Sequence, residues 1–197
     1  RDVLGSRGLG DVYKRQLQRF LIQAKFEGYY EVFLLDLATG LRRGELMALQ
    51  WDDLNFKTGV LNVNKQVYDV RGQLQISTPK TKNSVRKIVL PPAVVAVLRE
   101  YKKTVDSRWM FPSPVKENCP ITPGVVRRRL QLILEHAGCK HVRFHDLRHP
   151  YVKPTTKKFA SFLKFFRAAA IAARSCSIRY SWLMLPFQIS PFLKSPA

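Results

Sequence analysis

The chain has 197 residues, 46% apolar and 11% aromatic, with 34 Lys and Arg against 14 Asp and Glu. That apolar content excludes a disordered polycation, the length fits one domain or at most two, and the net charge of +20 points to a polyanionic partner or an anionic membrane face. A membrane span is disfavoured, because the uncharged stretch at 180–193 falls short of about 20 apolar residues and is broken by Pro186 and Pro191.

Cys119, Cys139 and Cys176 are widely spaced and odd in number, which suits neither a disulfide framework nor a zinc site. No basic-then-apolar leader opens the chain, so the expected compartment is a reducing cytoplasm, that of a bacterial cell or a phage-infected host.

The charge is unevenly spread. Residues 1–16, 17–150 and 151–197 carry net charges of +2, +10 and +8, and the last segment has no acidic residue. Residues 1–16 show no helical or strand period. The stretch SRGLGDVYKRQ resembles the translation of a transposon-end sequencing adaptor, in which GATGTGTATAAGAGACAG encodes residues 11–16. This segment is therefore expected to lie outside the fold.

Segment 17–150 reads as one mixed domain. Tyr30, Phe33, Leu34 and Leu37 recur at i, i+3, i+4 and i+7 ahead of Gly40, which predicts a buried helix with a glycine stop. A short helix is expected over 43–49. Leu61 and Val63, Leu74 and Ile76, and Ile88 and Leu90 then alternate in three runs broken at 69–72 and 80–84, predicting a small antiparallel sheet. Val94, Val97, Leu98 and Tyr101 make a second helical stripe after Pro91-Pro92. Thr122-Pro123 reads as an N-cap and N1 pair opening a helix with Val126, Leu130, Ile133, Leu134 and Ala137 inward and Gly138 as its stop. Arg127, Arg128 and Arg129 crowd its start, as an anion-binding face or as a merely solvated one.

Segment 151–197 holds half of the twelve phenylalanines, with Phe159, Phe162, Phe165 and Phe166 at helical spacing before an alanine-rich run. It reads as an unrelated or frame-shifted tail.

Three places carry chemistry. In HVRFHDLRH, 141–149, three histidines sit beside two arginines. His145 and His149 at i, i+4 raise metal binding, but Arg143 and Arg148 would repel a cation and fork onto phosphate, which favours an anion site. In ATGLRRGELMALQWDDL, 38–54, Arg42 and Arg43 stand at a helix start with Glu45 one turn along to orient one of them. In PKTKNSVRK, 79–87, Lys80 and Lys82 are expected in a hairpin turn.

ATGLRRGEL, LQWDDL, PKTKNSVRKIVLP, MFPSP and FHDLRH, in this order over about residues 29–149, resemble the catalytic domain of the tyrosine recombinases, the phage integrase family. The resemblance implies an α+β fold, mostly helical with a small antiparallel three-stranded sheet, here incomplete at both ends. It implies double-stranded DNA as partner, a tetramer on DNA for the intact protein, and no metal or cofactor. It also implies strand cleavage by a tyrosine through a 3′-phosphotyrosyl link, then rejoining.

Residue by residue, Arg42 and Arg148 match the two arginines that hold the non-bridging phosphate oxygens, and Lys80 the lysine that protonates the departing 5′-oxygen. His145 matches the histidine that shares proton transfer with the nucleophile. Glu45 and Asp146 match supporting positions, and His149 a frequent family residue.

The family pattern then breaks off. No histidine follows His149, Tyr151 is too close to Arg148, and Tyr180, 32 residues past Arg148, has an admissible spacing in a segment, SCSIRYSWL, unlike the nucleophile's. Residues 17–28 can be at most the trailing linker of an upstream DNA-gripping domain. The expectation is a recombinase catalytic domain inactive for want of its nucleophile. The alternatives are a non-catalytic basic DNA-binding module and a chimeric fragment without function.

Overall fold

The computed structural model describes the backbone of residues 4–70, 72–77 and 85–148, and the side chains of these residues except 4–14 and 148. Its centre is a ten-residue helix, α2 (Tyr30–Thr39), apolar on nearly every side: Val32, Phe33, Leu34, Leu35, Leu37 and Ala38 are all buried. A helix hydrophobic all round must be covered all round. It ends as expected at Gly40, whose left-handed φ of +61° lets its N–H reach the Asp36 carbonyl at 2.7 Å.

The first cover was not anticipated. Helix α1 runs from Leu4 to Phe26, through both the aperiodic segment 1–16 and the expected linker 17–28. Leu17, Phe20, Leu21 and Ala24, again i, i+3, i+4 and i+7, pack into the core, and the Phe20 ring meets Phe33 edge-on at 5.1 Å. The packed stripe begins at Leu17, so 17–26 is an integral helix of the domain. Tertiary burial of that stripe stabilises it.

Helix α3 (Arg43–Met47) ends two residues short of the expected 49, since Leu49 turns its carbonyl to the N–H of Met110 at 3.0 Å. A 3-10 turn (Trp51–Asp53) leads to β1 (Leu54–Asn55) and β2 (Val60–Val63). Next come β3 (Gln66–Val70), β4 (Gln73–Ser77) and β5 (Arg86–Val89).

The three-stranded antiparallel sheet exists and contains two of the three expected runs, with β1 in place of the third. Its order is β1-β2-β5, with Leu61 opposite Ile88 and Val63 opposite Arg86. The Leu74/Ile76 run lies instead in β4, which pairs with β3 as a separate hairpin, Val67 opposite Ile76. Residues 78–84 thus join two sheets in place of the expected hairpin, since among the described residues β4 and β5 do not pair.

Helices α4 (Pro92–Lys102) and α5 (Pro123–His136) follow the predicted stripes, with Val94 and Leu98, and Val126, Leu130 and Ile133, fully buried. The Thr122 hydroxyl caps α5 by accepting from the Val125 N–H at 3.3 Å. A final 3-10 turn (Phe144–Arg148) packs on α2 through Phe144, whose ring is 6.5 Å from that of Phe33.

The hairpin holds α3 closely. A Cβ on Gly44 would come within 2.6 Å of the Val67 carbonyl oxygen, so the α3 backbone lies against β3 with no room for a side chain. Gly44→Ala must push helix and hairpin apart, and overpacking of this kind costs about 2 kcal/mol. A urea midpoint equal to wild type would show that the contact yields freely.

Candidate active site

Three turns of the domain open with the same device. The backbone N–H of the residue before the turn donates to a carboxylate three residues on: Arg42 to Glu45 at 2.9 Å, Gln50 to Asp53 at 2.8 Å, and Arg143 to Asp146 at 3.1 Å. Each carboxylate satisfies an N–H that a helix start leaves orphaned. In the first and last the same carboxylate also takes the guanidinium of the capped residue, so one acidic side chain fixes a turn and an arginine together.

At the first turn, Arg42 Nη1 donates to Glu45 Oε1 at 3.1 Å. The Glu45 side chain is 2% exposed, whereas that of Arg42 is 60% exposed. Sequence reasoning passed over the next partner. Arg86 of β5 donates from Nη1 to Oε1 at 3.2 Å and from Nη2 to Oε2 at 2.8 Å, a two-pronged grip from 41 residues away. Burial alone would raise the Glu45 pKa, but the hydrogen bonds from Arg86 and from the Arg42 backbone and side chain outweigh it and hold the carboxyl below its ordinary range. The readable signal lay in strand alternation: Arg86 is two residues before Ile88, on the same face of β5.

The second arginine turn carries the other candidates. Arg143 binds Asp146 through Nε to Oδ2 at 3.0 Å and Nη2 to Oδ1 at 3.4 Å, and that hydrogen bonding keeps the Asp146 carboxyl below its usual value. His145 is exposed and Arg148 closes the turn. In a 3-10 helix, with three residues per turn, these two backbone positions share an edge. Both arginine turns are mounted on α2, Arg42 two residues past Gly40 and the other through the Phe33–Phe144 contact. The Arg148 side chain, Lys80, His149, Tyr151 and Tyr180 lie outside the described residues.

Basic charge extends onto α5. Arg127, Arg128 and Arg129 are exposed, and the Arg129 guanidinium sits 5.6 Å from the Tyr29 ring centre. Burial, and next the like charge of Arg127, hold the Arg43 guanidinium below its ordinary pKa. No group of three or more potential metal ligands occurs among the described residues, and none of their helices is long and apolar enough to cross a membrane.

Comparison with known proteins bears on the family and the fold. A profile described as the phage integrase family matches residues 12–153. A protein named tyrosine recombinase XerC-like from Caldanaerobacter subterraneus is 29% identical over 144 residues, 61% of this chain and 36% of its own length. The ICEBs1 integrase of Bacillus subtilis is 29% identical over 140 residues, 66% of this chain and 37% of its own. The chain thus spans little more than a third of these curated relatives.

Among solved structures, the Tn1549 transposon integrase in complex with circular intermediate DNA aligns with a TM-score of 0.57 at 23% identity, over 82% of this chain and 65% of its own. The XerA recombinase aligns with a TM-score of 0.53 at 18% identity, over 84% and 64%. At those identities the two structures bear on the fold alone.

Proposed function

The chain belongs to the phage integrase family, the tyrosine recombinases, and on that premise we propose that residues 17–150 are catalytic-domain sequence of a site-specific recombinase of a mobile element, acting on duplex DNA in the cytoplasm of a bacterium or infected host. The observation that carries this is Arg42. It is tied to the buried Glu45 through one of its five guanidinium N–H groups and is otherwise largely exposed, as a ligand for a phosphate oxygen must be.

In the proposed reaction Arg42 and Arg148 hold the two non-bridging oxygens of the scissile phosphate, where negative charge grows in the transition state. A tyrosine hydroxyl oxygen attacks phosphorus and the 5′-oxygen leaves, taking a proton from Lys80, while His145 shares the proton of the nucleophile. A 5′-hydroxyl then attacks the phosphotyrosyl link and returns the tyrosine, so the phosphodiester bond energy is kept. The intact recombinase would work as a tetramer. Residues 1–16 are proposed to be adaptor-derived and 151–197 foreign to the domain, which leaves the nucleophile missing.

The chain should therefore bind duplex DNA without cleaving it. In a salt titration followed by fluorescence anisotropy, Arg42→Ala should weaken binding and flatten the slope of log K against log salt by about 0.9, one phosphate contact. An unchanged slope would remove Arg42 from the phosphate. A nicked suicide duplex run on a denaturing gel should show no covalent adduct. An adduct that vanishes in Tyr180→Phe would restore Tyr180 as the nucleophile.

The exposed arginines of α5 favour one other reading, a non-catalytic basic module. It predicts that Arg42→Ala, Arg148→Ala and Arg128→Ala weaken binding alike.

A further inference from the structure

We infer that Arg86 is a positioning residue, a built-in counter-ion that neutralises Glu45 so that the charge and donors of Arg42 stay available to a DNA phosphate. The inference rests on the phosphate-ligand role proposed for Arg42.

The first argument is a donor count. Each Glu45 oxygen accepts two hydrogen bonds: Oε1 from Arg42 Nη1 at 3.1 Å and Arg86 Nη1 at 3.2 Å, Oε2 from the Arg42 backbone N–H at 2.9 Å and Arg86 Nη2 at 2.8 Å. A carboxylate offers about four lone-pair positions, so this one is saturated. Were Arg86 absent, the fork-shaped guanidinium of Arg42 would turn a second N–H onto the vacated oxygen, in the bidentate geometry arginine prefers. Arg86 occupies those positions and keeps Arg42 on a single side-chain tether.

The second argument is charge. Arg42 and Glu45 alone cancel, and an arriving phosphate would meet a neutral pair carrying a buried carboxylate. With Arg86 the trio carries one net positive charge. The two arginines are not equivalent in place, since the Arg42 side chain is 60% exposed and that of Arg86 32%. The more open one is suited to a ligand, the more enclosed one to the carboxylate.

The surroundings of Arg86 agree. It borders a cleft of about 400 Å³ shared with Asp52, Asp53 and Lys87, whose charges balance its own, and Lys65 pairs Asp53 at 3.0 Å, so the cleft has no excess of positive charge to draw a phosphate to Arg86. Its backbone position is fixed by pairing with Val63 in the sheet, so the counter-ion comes from a rigid element independent of α3.

The test uses the full chain and a duplex DNA of arbitrary sequence, with the salt slope of binding as readout. Arg86→Met should flatten the slope by about as much as Arg42→Ala, and the double variant should match Arg42→Ala alone. Glu45→Gln combined with Arg86→Met should recover the wild-type slope, because it restores one net positive charge and leaves no buried carboxylate needing a counter-ion. Arg86→Lys, which keeps the counter-charge, should recover most of it.

Losses from Arg42→Ala and Arg86→Met that add would overturn the inference, since Arg86 would then be a phosphate contact itself. So would a slope unchanged in Arg86→Met, or one not restored by Glu45→Gln. A silent Arg42→Ala is a different failure, that of the phosphate-ligand role.

If Arg86→Met does not fold, the decision passes to Glu45→Gln/Arg86→Met against wild type. Nitrogen-15 NMR of the Arg42 side chain gives a second readout that needs no DNA. Guanidinium rotation should slow in Arg86→Met as Arg42 closes onto Glu45, and unchanged rotation would count against the inference.

Discussion

Phe33→Ala is expected to destabilise the domain by about 4 kcal/mol, the middle of the range for a buried aromatic truncated to alanine. Phe33 is fully buried in the middle of α2, and its ring is the hub of an aromatic cluster: Phe20 of α1 at 5.1 Å, Tyr29 at 6.4 Å and Phe144 of the last 3-10 turn at 6.5 Å. These neighbours come from separate segments anchored by their own backbones, so they cannot all move inward to fill the space a lost ring leaves. The lost transfer free energy and the residual cavity therefore add. Urea unfolding should show a lower midpoint at unchanged m-value. A loss under 1 kcal/mol would mean that the segments collapse around the gap and that the cluster does not join them.

The same variant has a local signature. Phe144 anchors the turn bearing His145 and Arg148, and without the Phe33 ring that turn loses its seat on α2. Hydrogen exchange at the Asp146 amide, which donates to the Arg143 carbonyl at 2.9 Å, should quicken more than exchange in α5.

What the sequence disclosed and what it concealed follow from the range of the interactions. The α2 stripe, its Gly40 stop and the Thr122 cap are set by residues three or four apart, and each stands where expected. The Arg42–Glu45 pair is legible for the same reason.

The partner of β4 was not legible, since Leu74 and Ile76 alternate equally well whichever strand they pair with, and only the close seat of Gly44 under Val67 fixes the hairpin's place against α3. The inward stripe of α1 was on the page from Leu17 onward, but it stood next to a glycine-rich stretch that obscured the start of the helix. Arg86 was hidden most thoroughly. Alternation puts it on the Ile88 face of β5, opposite to Lys87, but its partner appears only when the pairing of Val63 with Arg86 brings β5 beside α3.

Glu45→Ala should then be the most damaging polar substitution, at about 3 kcal/mol. It removes four hydrogen bonds at once: the backbone cap of α3, about 1 kcal/mol in comparable sites, and three from two guanidinium groups, one of them with a side chain only 32% exposed. Breaking a buried pair by taking one partner reaches about 3–5 kcal/mol when the remaining charge is sealed in. Here both arginines retain some access to water, which places the estimate at the lower end. Gln at the same position keeps the shape and part of the cap and should cost less.

The acid limb of the stability curve provides the check. Because the folded-state pKa of Glu45 lies below its unfolded value, its ionic contribution is complete above the unfolded pKa, about 4.3, and is lost as pH falls through the lower folded value. Wild type should lose stability over that interval faster than Glu45→Gln, so the gap between them narrows as pH drops from 6 towards 3. A gap that stays constant would mean that the carboxylate contributes by its shape and not by its charge, and would leave Arg86 without the partner that explains its position.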